Sequence, residues 1–275
     1  MHTIAKAACA ATLIAAGSAS ASINYDVLGF EVPSSGFNFV GLEGQGGGSP
    51  DKVWQFRGTS NSANATVAST IGVAGTDGVQ FDLVDQPGGF DNGDYGVIIA
   101  PDVVPDGPVE AGIALNVLQN LAEGPIFGFT VFGSNSTPTG LQSIAGEFVV
   151  DPSTGEVFVN SATPFDFVGT GTFVPLSVYN DFDLVLDYTA KEYDLFVNGG
   201  LIGTFDFRAG QTFGDVDGLG RTNDFRGVTF LGFDQNLSAV PLAGTAYYDN
   251  LVVVPEPAVA GLVGLAGLFG LRRKR

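Results

Sequence analysis

The chain has 275 residues, of which 40 are glycine and 45% are hydrophobic, with 23 phenylalanines against one tryptophan. This apolar content predicts a packed core rather than disorder, and the glycines follow no three-residue repeat, which excludes collagen. The 29 acidic residues against 11 basic ones give a net charge of −18, which excludes binding to nucleic-acid phosphates. Many glycines and phenylalanines with few long helix-forming side chains predict short strands in one all-β domain, residues 22–254.

Two rare residues exclude whole classes of chemistry. Cys9 is the only cysteine of the chain, and His2 is its only histidine. Both precede residue 22, so the predicted domain has no disulfide, no His/Cys zinc or copper site, no cysteine nucleophile and no Ser-His-Asp triad.

Residues 1–21 are typical of a secretory signal peptide. Lys6 supplies a positive charge, and residues 7–16 form an apolar run too short to span a bilayer. Ala19 and Ala21 form a small-x-small cleavage site. We therefore expect cleavage after Ala21 and export of the rest of the chain.

Short apolar or alternating segments recur through the body, separated by clusters of Gly, Pro, Asp, Asn and Ser. This spacing is typical of a β-sandwich. The predicted strands of the first part are residues 23–32, 52–56, 79–84, 96–100, 126–132, 146–150 and 156–160. Residues 111–121 lack charges and caps, so they fit a strand at least as well as a helix.

The clearest pattern lies in residues 182–207. Apolar and polar residues alternate over residues 182–188, which predicts a strand with one apolar face. Asn198, Gly199 and Gly200 supply positive-φ residues for a tight hairpin. The remaining predicted strands are residues 193–197, 201–207, 227–233 and 246–254.

Residues 182–253 resemble the second half of a concanavalin A-like or laminin-G-like jelly roll. The resemblance rests on the hairpin YDLFVNGG and the final strand AYYDNLVV. It implies an antiparallel β-sandwich. Glycosidases on this fold carry a Glu-x-Asp-x-x-Glu run, which this chain lacks: residues 183–187 have the wrong residues and spacing, while Glu192 and Asp194 lie at a predicted turn. We expect a protein that is not an enzyme, with no catalytic residues; a glycoside hydrolase or lyase that lacks the recognised motif is the alternative.

Carboxylates that could bind calcium occur in three places. Asp215, Asp217 and Asp224 lie in a Gly-rich loop, and residues 91–94 form a similar cluster, although neither has the closing Glu of an EF-hand. Asp249 shares a predicted strand face with core-directed residues, so it needs a partner. That partner is either a structural Ca²⁺, as the resemblance implies, or a set of hydrogen-bond donors. No cofactor is required by the sequence.

Four aromatic residues could stack on sugar rings, with core packing as the alternative for each. They are Trp54, Tyr95, Tyr179 and Tyr247.

Residues 255–275 have three parts: Pro255-Glu256-Pro257, an apolar run at 258–271 that predicts a short hydrophobic helix, and a basic end. The basic residues are Arg272, Arg273, Lys274 and Arg275. This order resembles the PEP-CTERM sorting signal of Gram-negative bacteria. The resemblance implies transient anchoring in the inner membrane and processing by an exosortase-type enzyme, with a plain membrane anchor as the alternative.

These features together predict an exported protein sorted to the cell surface or extracellular matrix. We expect a binding or structural component of the envelope or exopolysaccharide matrix that contacts polysaccharide. A purely structural matrix protein without a ligand is the second alternative.

Overall fold

The computed structural model describes residues 25–27, 54–56, 63–84, 92–98, 108–120, 124–133, 143–160, 167–208, 225–233 and 243–255. The predicted signal peptide and nearly all of the sorting segment lie outside these ranges, as does the predicted C-terminal helix. The one helical element in the described ranges is a single 3₁₀ turn, Val73–Gly75. None of the described helical segments is long and apolar enough to cross a membrane.

The described strands are numbered in chain order. The first eight are β1 Tyr25–Val27, β2 Trp54–Phe56, β3 Ala63–Ala68, β4 Gly78–Val84, β5 Asn92–Ile98, β6 Val109–Val117, β7 Ile126–Gly133 and β8 Ser143–Val150. The others are β9 Glu156–Asn160, β10 Phe167–Phe173, β11 Asn180–Asp187, β12 Glu192–Val197, β13 Gly200–Asp206, β14 Phe225–Phe233 and β15 Ala243–Pro255.

Two antiparallel sheets form a β-sandwich, which confirms the predicted fold class. The first sheet has the order β13-β12-β11-β6-β15-β4-β3, and β1 also pairs with β15. The second sheet has the order β10-β9-β8-β7-β14-β5-β2. Both sheets combine runs of consecutive strands with pairs from distant parts of the chain, such as β6–β15 and β7–β14, as expected for a jelly roll.

The core lies between the sheets, and β11 shows by its alternation of buried and more exposed residues which face is turned inward. In β11, Phe182, Leu184 and Leu186 are fully buried, while Asp181 and Asp187 are exposed on the other face. Aromatic rings then join the two sheets. Phe182 of the first sheet stacks on Phe148 of the second, with ring centroids 4.2 Å apart.

A tyrosine makes a second connection between the sheets. The Tyr248 ring stacks on Phe230 at 4.3 Å, and its hydroxyl lies 3.0 Å from the carbonyl oxygen of Gly128 and 3.1 Å from that of Leu231. Tyr248 belongs to the first sheet and the other residues to the second. Its ring adds apolar contact, and its hydroxyl donor is satisfied inside the core.

The predicted hairpin is present. Asn198 and Gly199 have φ angles of 50° and 75° and connect β12 to β13. The Asn198 side chain accepts a hydrogen bond from the backbone N–H of Asp181 at 3.0 Å, which ties the turn to the start of β11. The ambiguous segment 111–121 contributes to β6, so its strand interpretation is confirmed. Strands β3 and β10 were not predicted.

The stacked pair Phe148–Phe182 provides a test of the core. We expect Phe182→Ala to lower the free energy of unfolding by about 3–5 kcal/mol, because it removes a buried ring between the sheets. Leu201→Ala is the control: Leu201 is 57% exposed, and a surface change of this kind costs within about 0.5 kcal/mol. Urea denaturation measures both, and similar losses in the two variants would contradict the packing described here.

Candidate functional site

A buried carboxyl group lies on the outer face of the second sheet. Phe148 and Val150 of β8 point into the core, so the alternation of the strand turns Glu147 outward. Glu147 is nevertheless only 6% exposed. The Thr130 hydroxyl donates to its Oε1 at 2.7 Å, and the Asn160 amide donates to its Oε2 at 2.8 Å. Strands β7, β8 and β9 therefore bring three polar side chains together.

The surroundings of Glu147 act on its protonation in opposite directions. Burial raises the pKa of Glu147, whereas the hydrogen bond from Thr130, the charge of Arg208 and the hydrogen bond from Asn160 lower it. Burial also lowers the pKa of Arg208, and the charge of Glu147 opposes that effect. The Tyr193 hydroxyl donates to the Glu147 backbone oxygen at 3.0 Å from the core side. The site thus holds a carboxyl group whose protonation is easier than in water.

A cleft of about 600 Å³ adjoins this group. One side of the cleft is formed by the end of β9 and the start of β10, in the second sheet. The other side is formed by the β11–β12 turn and by β13, in the first sheet. Its polar lining residues are Asn160, Lys191, Glu192, Thr204 and Asp206. Its apolar side chains come from Val159, Val168, Ala190, Phe205 and Phe207. Asn160 lines the cleft and also holds Glu147, so it connects the cleft with the buried carboxyl group.

Two carboxylates of the cleft face each other across strands β12 and β13. Glu192 is the register partner of Asp206, so both side chains lie on one face. The hairpin turn alone would place Phe205 opposite Glu192. A register shift between Leu195 and Phe196 moves the pairing by one residue and brings Asp206 into place.

The sequence analysis missed the residues that form this site. It did not single out Glu147, Asn160, Lys191 or Asp206, and it assigned Glu192 to a turn. One signal was available for Glu147, which is the only charge within the apolar segment of β8. A lone charge inside a strand otherwise made of small and apolar residues has to find partners, here Thr130 and Asn160.

Asp249 lies at a separate place, on β15, and is fully buried. Its Oδ2 accepts hydrogen bonds from the backbone N–H of Val73 at 2.7 Å and the hydroxyl of Thr76 at 3.0 Å, and its Oδ1 accepts one from the Asn250 N–H at 2.8 Å. The close turn before β4 requires glycine at position 72, where a Cβ would come within 2.6 Å of Oδ2.

The surroundings of Asp249 match the hydrogen-bonded alternative. Both oxygens accept hydrogen bonds from N–H or O–H donors, which the hydrogen-bonded alternative requires. The described residues contain no group of three or more His, Cys, Asp or Glu suited to a metal ion. Calcium dependence of the whole protein stays a prediction, which melting with and without chelator would check.

The other predicted site residues are dispersed. Tyr179 and Tyr247 lie near Asp249, and the Tyr179 hydroxyl donates to the Ile71 carbonyl oxygen at 2.6 Å. Burial, with Asp249 and Tyr247, raises the pKa of Tyr179. Trp54 and Tyr95 belong to neighbouring strands β2 and β5. Among the described side chains, neither Tyr179 nor Tyr247 lines the cleft.

Two predicted calcium clusters have different outcomes. Asp215, Asp217 and Asp224 lie outside the described residues. The cluster at residues 91–94 was interpreted as a loop, but residues 92–94 belong to β5 and pair with residues 231–233 of β14. Asp and Asn in this segment therefore lie in a strand and not in a turn.

Comparisons with known proteins bear on the fold. No protein-family model and no curated protein sequence matches the chain. Among solved structures, an endo-β-1,4-glucuronan lyase from the fungus Trichoderma reesei is similar with a TM-score of 0.51 and 8% identity, over 73% of this chain and 90% of the lyase. A conserved carbohydrate esterase from the Shiga toxin-encoding bacteriophage phi24B has a TM-score of 0.50 and 13% identity, over 84% and 99% of the two chains.

A sialidase also matches, with a TM-score of 0.48 and 12% identity over 75% of this chain. The chain spans only 17% of that sialidase. At such low identities the likenesses to the lyase and the esterase establish the fold alone, and the activities belong to the proteins that carry them.

The expectation that this chain is not an enzyme is wrong. It rested on the missing Glu-x-Asp-x-x-Glu run, whereas the same fold occurs in a glucuronan lyase and a carbohydrate esterase. The lack of one glycosidase motif therefore does not exclude catalysis on this fold.

The raised pKa of Glu147 predicts that the stability of the fold depends on pH. Its pKa is higher in the folded state than in the unfolded chain, so its stabilising contribution is full below the ordinary value and lost as pH rises through the folded value. The free energy of unfolding should therefore decline as pH rises above the ordinary pKa of a glutamate. We expect Glu147→Gln to remove the share of this decline that Glu147 causes. Part of the decline remains in the variant, since burial also raises the pKa of Asp249.

Urea denaturation of wild type and Glu147→Gln across this pH range measures the difference. Leu201→Ala, at an exposed position without a titratable group, is the control and should leave the pH profile unchanged. Identical profiles for wild type and Glu147→Gln would contradict a raised pKa at Glu147.

Proposed function

We propose that this chain is an exported, surface-sorted protein that binds polysaccharide in the cleft beside Asn160. The observation that carries the proposal is the cleft itself. Apolar side chains and a few hydrogen-bonding groups line it, a combination that suits a sugar ring with its C–H face and its hydroxyls. The fold supports the proposal by analogy, because it is shared with proteins named as a glucuronan lyase and a carbohydrate esterase.

Polysaccharide cleavage is a second candidate function, favoured by one specific observation. Glu192 and Asp206 are directly opposed across β12 and β13 within the cleft. Directly opposed residues on one face of a sheet are close enough for their side chains to act together. Cleavage with retention of configuration needs two carboxyl groups about 5–5.5 Å apart. Cleavage would appear as shortened oligosaccharides when wild type is used in the binding experiment below. The Glu192→Gln variant should produce none.

The ends of the chain complete the proposal. Residues 1–21 direct export, and residues 255–275 hold the protein in the inner membrane until an exosortase-type enzyme processes it. The protein then becomes part of the cell surface or exopolysaccharide matrix. The support is the order of the three parts of the tail, with Pro-Glu-Pro, an apolar run and a basic end.

Blocking the cleft tests the binding proposal. We expect Ala190→Trp to weaken oligosaccharide binding roughly tenfold or more, because Ala190 lines the cleft and an indole would fill it. The control is Thr189→Trp at the neighbouring exposed position, which is not among the lining residues. Calorimetric titration with a panel of neutral and charged oligosaccharides measures both. A panel with no binding to wild type would favour the purely structural alternative.

The sorting proposal makes a separate prediction. Glu256→Ala should leave the β-domain folded but trap an unprocessed, membrane-associated precursor, because a processing enzyme reads the Glu256 side chain whereas a simple anchor needs only apolar length and charge. The measurement is the mass of the C-terminal peptide of the mature protein in a host that carries the processing enzyme. An intact Arg275 on the surface-exposed wild-type protein would show that the tail is only an anchor.

A further inference from the structure

The hydrogen-bonding groups of the cleft are mostly acceptors. Glu192 and Asp206 are exposed carboxylates at its rim, and Lys191 is the one basic side chain among the lining residues that the structure describes. A third carboxylate is close, since a Cβ on Gly169 in the cleft wall would collide with Oε1 of Glu156. The cleft therefore carries net negative charge, and anionic ligands are repelled from it.

The inner end of the cleft adds a further acceptor. The Asn160 Oδ1 is buried and has no hydrogen-bond partner in the described structure. The orientation of its amide is set by Glu147, because Nδ2 donates to Oε2 of that residue at 2.8 Å. Turning the amide over would point Oδ1 at the carboxylate oxygen. Oδ1 is therefore an acceptor without a donor, and a buried acceptor of this kind is unfavourable.

We infer that the cleft takes a glycan that offers hydroxyl or amino donors and carries no anionic groups, and that it rejects glycans made of uronic acids. This inference rests on the proposed function and names its substrate class. Hydroxyl donors can bond to the exposed carboxylates of Glu192 and Asp206, and amino groups also gain from the negative charge. A uronate brings a carboxylate against these carboxylates, and Lys191 alone does not compensate for them.

Three oligosaccharides of equal length test the inference by calorimetry at low ionic strength. They are cellohexaose, which is neutral, chitosan hexamer, which carries amino groups, and alginate hexamer, which carries a carboxylate on every ring. Wild type should bind at least one of the first two about tenfold more tightly than the alginate hexamer. If alginate hexamer binds as tightly as the others, the charge inference fails while the proposed function stands. If none of the three binds, the proposed function fails and this inference fails with it.

A charge reversal provides the matched variants. Asp206→Lys should strengthen binding of the alginate hexamer about tenfold, because it places a cation beside Lys191 in the cleft. Asp181→Lys is the control, with the same change in net charge. Asp181 is exposed and lies at the other end of these strands from Asp206. It is at the start of β11, beside the β12–β13 turn, whereas Asp206 is the last residue of β13. Equal effects of the two variants would overturn the inference, because long-range charge alone would then explain them.

Discussion

The sandwich depends on contact between the aromatic side chains of its two inner faces. The chain has a single cysteine, so no disulfide within it can hold the sheets together. The sheets meet instead through ring pairs such as Phe148–Phe182 and Phe230–Tyr248, both stacked with centroids a little over 4 Å apart. Each pair takes one ring from each sheet. Burial of these rings stabilises the fold, and it also fixes which residues of the strands that carry them face outward.

The position of Glu147 follows from that packing. Because Phe148 packs inward against Phe182, its neighbour Glu147 points to the other side of β8, where Thr130 and Asn160 are its partners. Tyr193 strengthens the arrangement from within, since its ring lies in the core and its hydroxyl bonds to the Glu147 carbonyl oxygen. Strand β8 is thus held on both faces around one residue.

The features predicted from sequence are those that local patterns encode. Alternation over residues 182–188 identified β11, and the Asn198-Gly199 turn identified the hairpin, because period-two burial and positive φ angles leave direct traces in the residue types. The site depends on pairings that no local pattern contains. Glu192 meets Asp206 only because of a register shift within the hairpin, and Glu147 meets Asn160 only because β8 and β9 are neighbours in the second sheet. Strand β10 was not predicted because its exposed, glycine-containing segment has little alternation of apolar residues.

The buried carboxyl group and the cleft are coupled through one amide. The Asn160 Nδ2 donates to Oε2 of Glu147, and Asn160 also lines the cleft. The hydrogen bond from Asn160 and the charge of Arg208 both favour the ionised carboxylate, against the burial that raises its pKa. A change at Asn160 would therefore alter both the surroundings of Glu147 and the wall of the cleft. Asn160 is therefore the residue at which the stability of the sheet and the chemistry of the cleft are linked.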